Sequence, residues 1–285
     1  MFEPKFGRRD TMTMITLTAR NLSAFQTRWR RRVFVWAMIA TALLLGSVSK
    51  PIHSEDASEV DTHAREILLR ADRIRFPDNG FQVDVTITTT EPDNEPDERA
   101  YRILSKGNSQ TLVQTTAPAV DRNQILLMRD SDLWAFLPNL SQPIRLPLSQ
   151  RLTGQVANGD LARANFAGDY EPRILRKEKV ASETYYVLQL DAVDNWATYR
   201  RVLYWVNVKD SRPHKAEFYA LSGRLLKTAY YHEFHDLGGE IRPTKIVVED
   251  ALRKNHRSVL EYTDMVEREL PDKIFTKDYL KKLSR

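Results

Sequence analysis

Alternation of apolar and polar residues over 81–88 limits the fold more than any other feature of this sequence. Every second side chain there is apolar: Phe81, Val83, Val85 and Ile87. A period of two predicts a β-strand that buries one face. Gly, Pro, Asn and Asp separate further strand-like runs at 99–105, 110–116, 123–129, 132–137, 143–147, 173–180, 184–190, 200–208, 214–220, 223–231, 242–249 and 257–266. Short strands at this spacing indicate an antiparallel all-β sheet.

Helices are predicted at both ends of this β region. Residues 57–72 have apolar side chains at helical spacing, and 276–283 form a last helix, capped by Thr276 with Asp278 in its first turn. Between them, Gln150 to Ala164 breaks the strand pattern and is expected to be a loop with one helical turn. No linker or repeat divides residues 50–285, so we predict one domain there.

Two strands, 185–190 and 202–206, are apolar on both faces. Such a strand needs apolar cover on each side of its sheet. A sandwich, or a helix packed across the sheet, would provide it. So would a curved sheet whose concave face is closed by helices around a ligand cavity.

The positive charge is confined to the N-terminal segment. The 285-residue chain has 43 basic and 38 acidic residues, a net charge of +5, and residues 1–49 contain eight basic and two acidic ones. The remainder therefore has 35 basic and 36 acidic residues, a net charge of −1. This balance gives no support to nucleic-acid binding, so no nucleic-acid partner is predicted.

Residues 1–49 have the order of a secretory signal peptide. Arg28 and residues 30–32 precede an apolar run at 33–45, and small residues follow at Ser47 and Ser49. An uncleaved anchor is the alternative, but the run is shorter than the ~20 residues that span a bilayer. We predict cleavage near Ser49, export by the Sec route rather than the twin-arginine route, and a periplasmic protein.

The motifs of common enzymes are missing. With no cysteine, disulfides, thiolate metal sites and a cysteine nucleophile are excluded. His232 and His235 are three residues apart in a strand-like run, unlike the helical spacing of zinc proteases. Neither a nucleophile elbow nor a phosphate-binding or dinucleotide-binding loop is present. The sequence predicts a non-enzymatic protein without a cofactor or metal.

Several short motifs in 133–170 and 238–276 resemble one family. They are Leu133-Trp134-Ala135-Phe136-Leu137-Pro138, Pro143-Ile144-Arg145, Ser149-Gln150-Arg151, Gly159-Asp160, Phe166-Ala167-Gly168-Asp169-Tyr170, Gly238 with Pro243, Leu270-Pro271-Asp272 and Phe275-Thr276. In this order they are similar to the outer-membrane lipoprotein-sorting protein family, the LolA-like periplasmic carriers. One segment, 164–170, departs from the Gly-Ser-Asp-Phe run of many members and indicates a separate branch.

The resemblance implies a mainly β (α+β) fold: one curved antiparallel sheet, a half-barrel of about eleven strands, with a few helices over its concave face. It implies a carrier that binds lipoprotein acyl chains or another envelope lipid in an apolar cavity and passes it towards an outer-membrane acceptor. Some members accompany inner-membrane transporters of the RND type. The alternative is a sensor of the same fold that binds an inner-membrane partner.

Candidate ligand-binding residues are aromatic, aliphatic or basic side chains on and beside these strands. We expect the aromatic and aliphatic ones to line the cavity and the two arginines to hold a head group. They are Leu126, Met128, Trp134, Phe136, Phe166, Tyr170, Tyr204, Trp205, Arg145 and Arg151.

Overall fold

The predicted alternation is realised as one large antiparallel sheet. In the computed structural model, which describes residues 55–283 except Asn108 and Ala164, thirteen strands form a single curved sheet in the order β6-β5-β4-β3-β2-β1-β15-β14-β13-β12-β11-β10-β9. It does not close into a barrel, so β6 and β9 are its edges. The predicted half-barrel is confirmed, with two strands more than the family pattern implies. The predicted signal peptide lies outside the described residues.

The strands have these bounds: β1 Phe81–Thr90, β2 Asp97–Lys106, β3 Gln110–Ala117, β4 Ile125–Arg129, β5 Asp132–Phe136, β6 Ile144–Leu146, β7 Arg151–Thr153, β8 Val156–Ala157, β9 Tyr170–Val180, β10 Glu183–Ala192, β11 Arg201–Asn207, β12 Pro213–Tyr219, β13 Leu225–Asp236, β14 Ile241–Asp250 and β15 Arg257–Glu267. The helices are α1 Glu55–Arg75, α2 Asn158–Ala162 and α3 Lys277–Leu283, with short 3-10 helices at Ala119–Asp121 and Asp272–Phe275.

Chain order explains how the inner face is covered. The chain runs outward from β1 to the edge strand β6, and later returns from the opposite edge, β9, to β15, which pairs with β1. The connection between the two edges, residues 147–169, must therefore cross the sheet. It contains the separate β7-β8 hairpin and α2, where the sequence predicts a loop with a helical turn.

Helix α1 packs on the same inner face. It is longer than the predicted 57–72, and its apolar stripe of Ile67, Leu68 and Ala71 is buried in the main core cluster. The inward side chains of β1 belong to that cluster too, as the period of two predicts. Within the described part of the chain, no helix is both long and apolar enough to span a membrane.

Helices α1 and α2 cover the inner face as predicted, whereas α3 lies on the other face of the sheet. Phe275 and Leu280 pack against Leu112, Leu127 and neighbouring side chains of β3 to β5. Thr276 caps α3 as predicted, because its Oγ1 accepts a hydrogen bond from the N–H of Tyr279 at 3.3 Å. The outward side chains of these strands thus form a second, wholly apolar cluster.

Candidate functional site

The segment 147–169, which we call the crossing segment, lies close against the sheet. A Cβ on Gly159 would stand 1.9 Å from Oγ1 of Thr198, and one on Gly154 would stand 2.2 Å from Oγ1 of Thr89. Gly154 also has a φ of +47°, a conformation that favours glycine. Only glycine lets the backbone approach this closely at these two points.

Asp72 of α1 holds the end of the crossing segment. Its Oδ2 accepts the backbone N–H groups of Phe166 at 2.9 Å and of Ala167 at 2.8 Å. The carboxyl is buried, and that burial raises its pKa to about 6, although Arg75 and the two N–H groups act in the opposite direction. Arg75 and the two backbone N–H groups thus stabilise the ionised carboxylate, whereas burial favours its neutral form.

Phe166 packs on the inner face over β11 and β12. Its ring lies 5.3 Å from that of Tyr204, centre to centre, and the Arg75 guanidinium carbon is 4.5 Å from its centre. Arg75 is itself buried and pairs with Asp72 at 3.4 Å, and its guanidinium carbon is 5.8 Å from the ring centre of Tyr231. This cation therefore rests on aromatic faces as well as on a carboxylate.

A second buried pair fixes α2 to β13. The Lys227 ammonium donates to the Asp160 carboxylate and to the carbonyl oxygen of Gln155. Asp160 also accepts the hydroxyl of Tyr199 at 2.9 Å and the backbone N–H of Ala157 at 2.7 Å. Each charge of this pair is thus hydrogen-bonded several times, as a buried ion pair requires.

A third pair, Arg163 with Asp169, closes the last loop of the crossing segment. Their nearest atoms are 3.2 Å apart, and the guanidinium carbon lies 4.5 Å from the ring of Trp196. Desolvation raises the pKa of Asp169 to about 6 and lowers the pKa of Arg163. Both shifts favour the neutral forms, so burial outweighs the attraction within this pair.

Between these anchors lies a small cavity of about 50 Å³. Since a site needs roughly 10–15 Å³ for each water molecule, this is room for a few waters. Its lining is mixed: Phe166, Tyr170, Tyr199, Phe218, Tyr231, Ile246, Val248, Leu260 and Tyr262 alternate with Arg75, Asp160, Arg163, Asp169 and Lys227. The enclosed space is smaller and more polar than the apolar cavity expected from the sequence.

Five of the ten sequence-predicted residues lie on the inner face. Phe166 and Tyr170 line the cavity, and Tyr204 packs directly behind Phe166. Leu126 and Met128 face inward on β4, since they pair with Val113 and Thr111 of β3. Met128 lies in a small cluster with Leu133, Leu148 and Ala162, none of which lines the cavity.

The other five lie elsewhere. Trp134 and Phe136 belong to the outer cluster under α3, where the Lys277 ammonium is 3.0 Å from the Trp134 ring centre. Trp205 also faces outward, packed with Tyr185 and Val187. Arg145 is exposed and pairs with Asp132, and Arg151 lines a surface groove. Of the ten, the structure brings Phe166, Tyr170 and Tyr204 together at the cavity and places the other seven outside it.

The buried charges were missed by sequence reasoning, although a signal was present. Asp72 and Arg75 each stand four residues after an apolar position of the α1 stripe, Leu68 and Ala71, where a helix continues the same face. Lys227 likewise occupies an inward position of β13, two residues before Ala229. Charges at positions that the period assigns to the core mark polar sites.

Comparisons with known proteins identify a family model and solved structures that are similar to this chain. A family model described as "Uncharacterized protein" matches residues 107–282. No curated protein matches the chain. The solved LolA superfamily protein NE2245 from Nitrosomonas europaea is 58% identical, covers 76% of this chain and 98% of its own, and superposes with a TM-score of 0.74.

Two more distant structures share the fold. A Vibrio parahaemolyticus domain described as an outer membrane lipoprotein-sorting protein is 20% identical, with a TM-score of 0.67 over 78% of this chain and 99% of that one. A DUF1329 family protein from Desulfovibrio piger is 18% identical, with the same TM-score over 78% of this chain and 99% of its own. On the identity to NE2245, with nearly the whole of that protein covered, this chain belongs to the LolA superfamily.

Proposed function

We propose that this protein is a periplasmic carrier of lipoprotein acyl chains or another envelope lipid. The observation that carries the proposal is the 58% identity to a LolA superfamily protein over 98% of that protein's length. The acyl chains are held by burial without a covalent bond, and no catalytic step is part of the proposal. Each CH₂ group removed from water contributes ~0.8 kcal/mol, so an acyl chain needs no covalent attachment.

The observed arrangement of the site supports this proposal if it is the closed conformation of the carrier, with no lipid bound. Phe166 occupies the inner face where Tyr204, Phe218 and Arg75 meet, so its ring stands in the place of a ligand. Moving residues 163–169 away from the sheet would uncover a broad apolar surface. That surface includes Tyr204, Tyr231, Ile246, Leu260 and Tyr262.

The contacts that hold the loop are suited to opening. Asp72 binds it through two hydrogen bonds, and water can satisfy both partners once they separate. A hydrogen bond of this kind contributes only about 0.5–1.5 kcal/mol net, or somewhat more to a charged group. Lipid burial can therefore offset the loss of this contact.

Arg75 gives the opened site a cation. It is held under Phe166, and displacement of that ring would leave its guanidinium facing the ligand space. A phosphate or carboxylate of a lipid head group is the complementary partner. The partners proposed for transfer are an inner-membrane donor, such as an RND-type transporter, and an outer-membrane acceptor.

Native mass spectrometry of protein purified from the periplasm, followed by lipid extraction, tests the carrier role. We expect a bound lipid in the wild type and a larger lipid-bound fraction in Phe166→Ala, because the substitution removes the ring that fills the site. Phe234→Ala is the matched control, since Phe234 is also half-buried at the edge of the main core but does not line the cavity.

The control should leave the lipid-bound fraction unchanged. Absence of lipid from both the wild type and Phe166→Ala, in protein that is folded by circular dichroism, would contradict the proposal. So would equal gains in the two variants.

A further inference from the structure

A surface groove lies between the two sides of the open sheet. From one side it is lined by Ser131 and residues 145–149, at and after the edge strand β6. From the other side it is lined by residues 195–197, in the turn between β10 and β11. We call this groove the seam. Its volume of about 340 Å³ lies within the roughly 300–1,000 Å³ of small-molecule sites, whereas the cavity on the inner face has about 50 Å³.

The lining of the seam is mainly apolar. Of the nine described residues that line it, five are apolar: Leu146, Pro147, Leu148, Trp196 and Ala197. Arg145 is the one charged residue among the nine, and it is already paired with Asp132. The lining therefore suits a hydrocarbon chain better than a charged ligand.

Two side chains in contact connect the seam with the cavity. Trp196 lines the seam and packs against inward residues of β4 and β5, Met128 and Leu133. The guanidinium carbon of Arg163 lies 4.5 Å from the ring centre of Trp196, and Arg163 lines the cavity. Parting of these two side chains would join the two spaces.

A second surface groove also reaches the cavity, but more bonds close its inner end. It shares Tyr199 and Lys227 with the cavity. Lys227 donates to Asp160 and to the carbonyl oxygen of Gln155, and Tyr199 donates to Asp160 as well. A ligand that entered there would have to break a buried ion pair, which is costly.

The ion pair at the seam does not need to break. Arg163 pairs with Asp169 at 3.2 Å, and both residues belong to the loop 163–169 that moves in the proposed opening. The pair can therefore leave the sheet as one unit, and only the contact between Arg163 and Trp196 has to part. The seam and the uncovered inner face would then form one continuous apolar channel.

We propose that the seam is the entry of the site, through which an acyl chain passes between β6 and the turn 193–200. The inference rests on the proposed function, because it assigns a route to the ligand of that same site. Each CH₂ group that leaves water for the seam is buried favourably, so the chain gains free energy before it reaches the inner face. Trp196 is the positioning residue of this route, since its ring stands between the seam and Arg163.

Reversible blocking of each groove tests the route. The chain has no cysteine, so Asn195→Cys in the seam and Leu252→Cys in the second groove, both at exposed positions, each accept one bulky methanethiosulfonate reagent. Lipid-extracted protein is mixed with phosphatidylcholine vesicles that contain phosphatidylglycerol with a pyrene-labelled acyl chain, and the loss of excimer fluorescence gives the rate of uptake. We expect the block at 195 to slow uptake at least tenfold and a reductant to restore it. The block at 252 should change the rate less than twofold.

Trp196→Ala gives an independent measure. Loss of the ring should raise the rates of uptake and release together, at least threefold, and should change the lipid-bound fraction at equilibrium less than twofold, because an entry residue alters the barrier and not the bound state. No slowing by the block at 195, equal slowing by both blocks, or a change in release alone would overturn the route while the carrier role stands. No uptake by the unmodified wild type would contradict the carrier role and the route together.

Discussion

The two faces of the sheet use the same strands for different purposes. Outward side chains of β3 to β5 meet α3 in an apolar cluster of Leu112, Ile125, Leu127, Phe136, Leu270, Phe275 and Leu280. The inner face, covered by the crossing segment, contains three buried ion pairs and a cavity of about 50 Å³. A dry apolar cluster fixes one arrangement, whereas buried charges lower the difference in free energy between closed and open arrangements. We infer that the outer cluster is fixed, whereas the crossing segment moves over the inner face.

The largest expected effect is a difference in the free energy of unfolding between substitutions on the two faces. Phe275→Ala removes a ring that is 1% exposed from the outer cluster and should lower the free energy of unfolding by about 3–5 kcal/mol. Phe166→Ala should cost less, about 1–2 kcal/mol, because its ring is only half-buried. Urea unfolding measures both, and equal losses would remove the distinction between the faces.

The buried pair of Lys227 and Asp160 gives the next effect. Lys227→Met leaves the Asp160 carboxylate, which is 19% exposed, without its cation and should cost about 2–3 kcal/mol at pH 7. Adding Asp160→Asn removes the stranded charge while keeping an oxygen for the N–H of Ala157, so the double variant should regain most of this loss. Additive losses in urea unfolding would show that the two charges do not interact.

The Asp72 carboxyl should make the stability of the inner face depend on pH. Its pKa is about 6 in the folded protein, because of burial, against an ordinary value of 3.8. Between those values the folded state binds the proton and the unfolded chain does not, so this carboxyl's contribution to stability falls as the pH rises. Asp72→Asn does not titrate. Its free energy of unfolding, minus that of the wild type, should therefore rise by on the order of 2 kcal/mol from pH 4 to pH 7.

Asp191 is the control for this slope. Burial raises its pKa, but hydrogen bonds from Arg201 and Gln189 outweigh it and lower the pKa overall. The ionised form is thus favoured in the folded state, and its contribution to stability is lost as the pH falls through the folded pKa. Asp191→Asn should give a slope of opposite sign at low pH, and equal slopes for the two variants would refute the assignment.

The smallest effect is expected at the surface. Arg145→Ala removes an exposed ion pair with Asp132 and should change the free energy of unfolding by less than about 0.5 kcal/mol. Its lipid-bound fraction in native mass spectrometry decides whether Arg145 is a head-group ligand, as its sequence position suggests. A loss of lipid without a loss of stability would restore it to the site.

Much of the fold follows from periodicity alone. The alternation in 81–88 becomes β1 with every second side chain buried, and the helical spacing in 57–72 becomes most of α1. The capping residue at the start of α3, Thr276, could also be predicted from the sequence. These features are local, so a single stretch of sequence contains the information.

Features that depend on the order of strands in space were not predictable in this way. Trp134 and Phe136 share one face of β5 in any arrangement, but only the packing of α3 shows that this face is the outer one. The same holds for the choice between Tyr204 and Trp205 on β11. Lys227 and Asp160 are 67 residues apart in sequence, so their pairing depends on the path of the crossing segment.

Hydrogen exchange at the N–H groups of Phe166 and Ala167, with and without bound lipid, tests the central claim most directly. Both groups donate to Asp72 in the closed form, so they report whether the crossing segment leaves the sheet. We predict faster exchange at 166 and 167 when lipid is bound, and unchanged exchange at 275 and 280 in the outer cluster. Exchange at 166 and 167 that does not respond to lipid would contradict an inner face that opens to carry it.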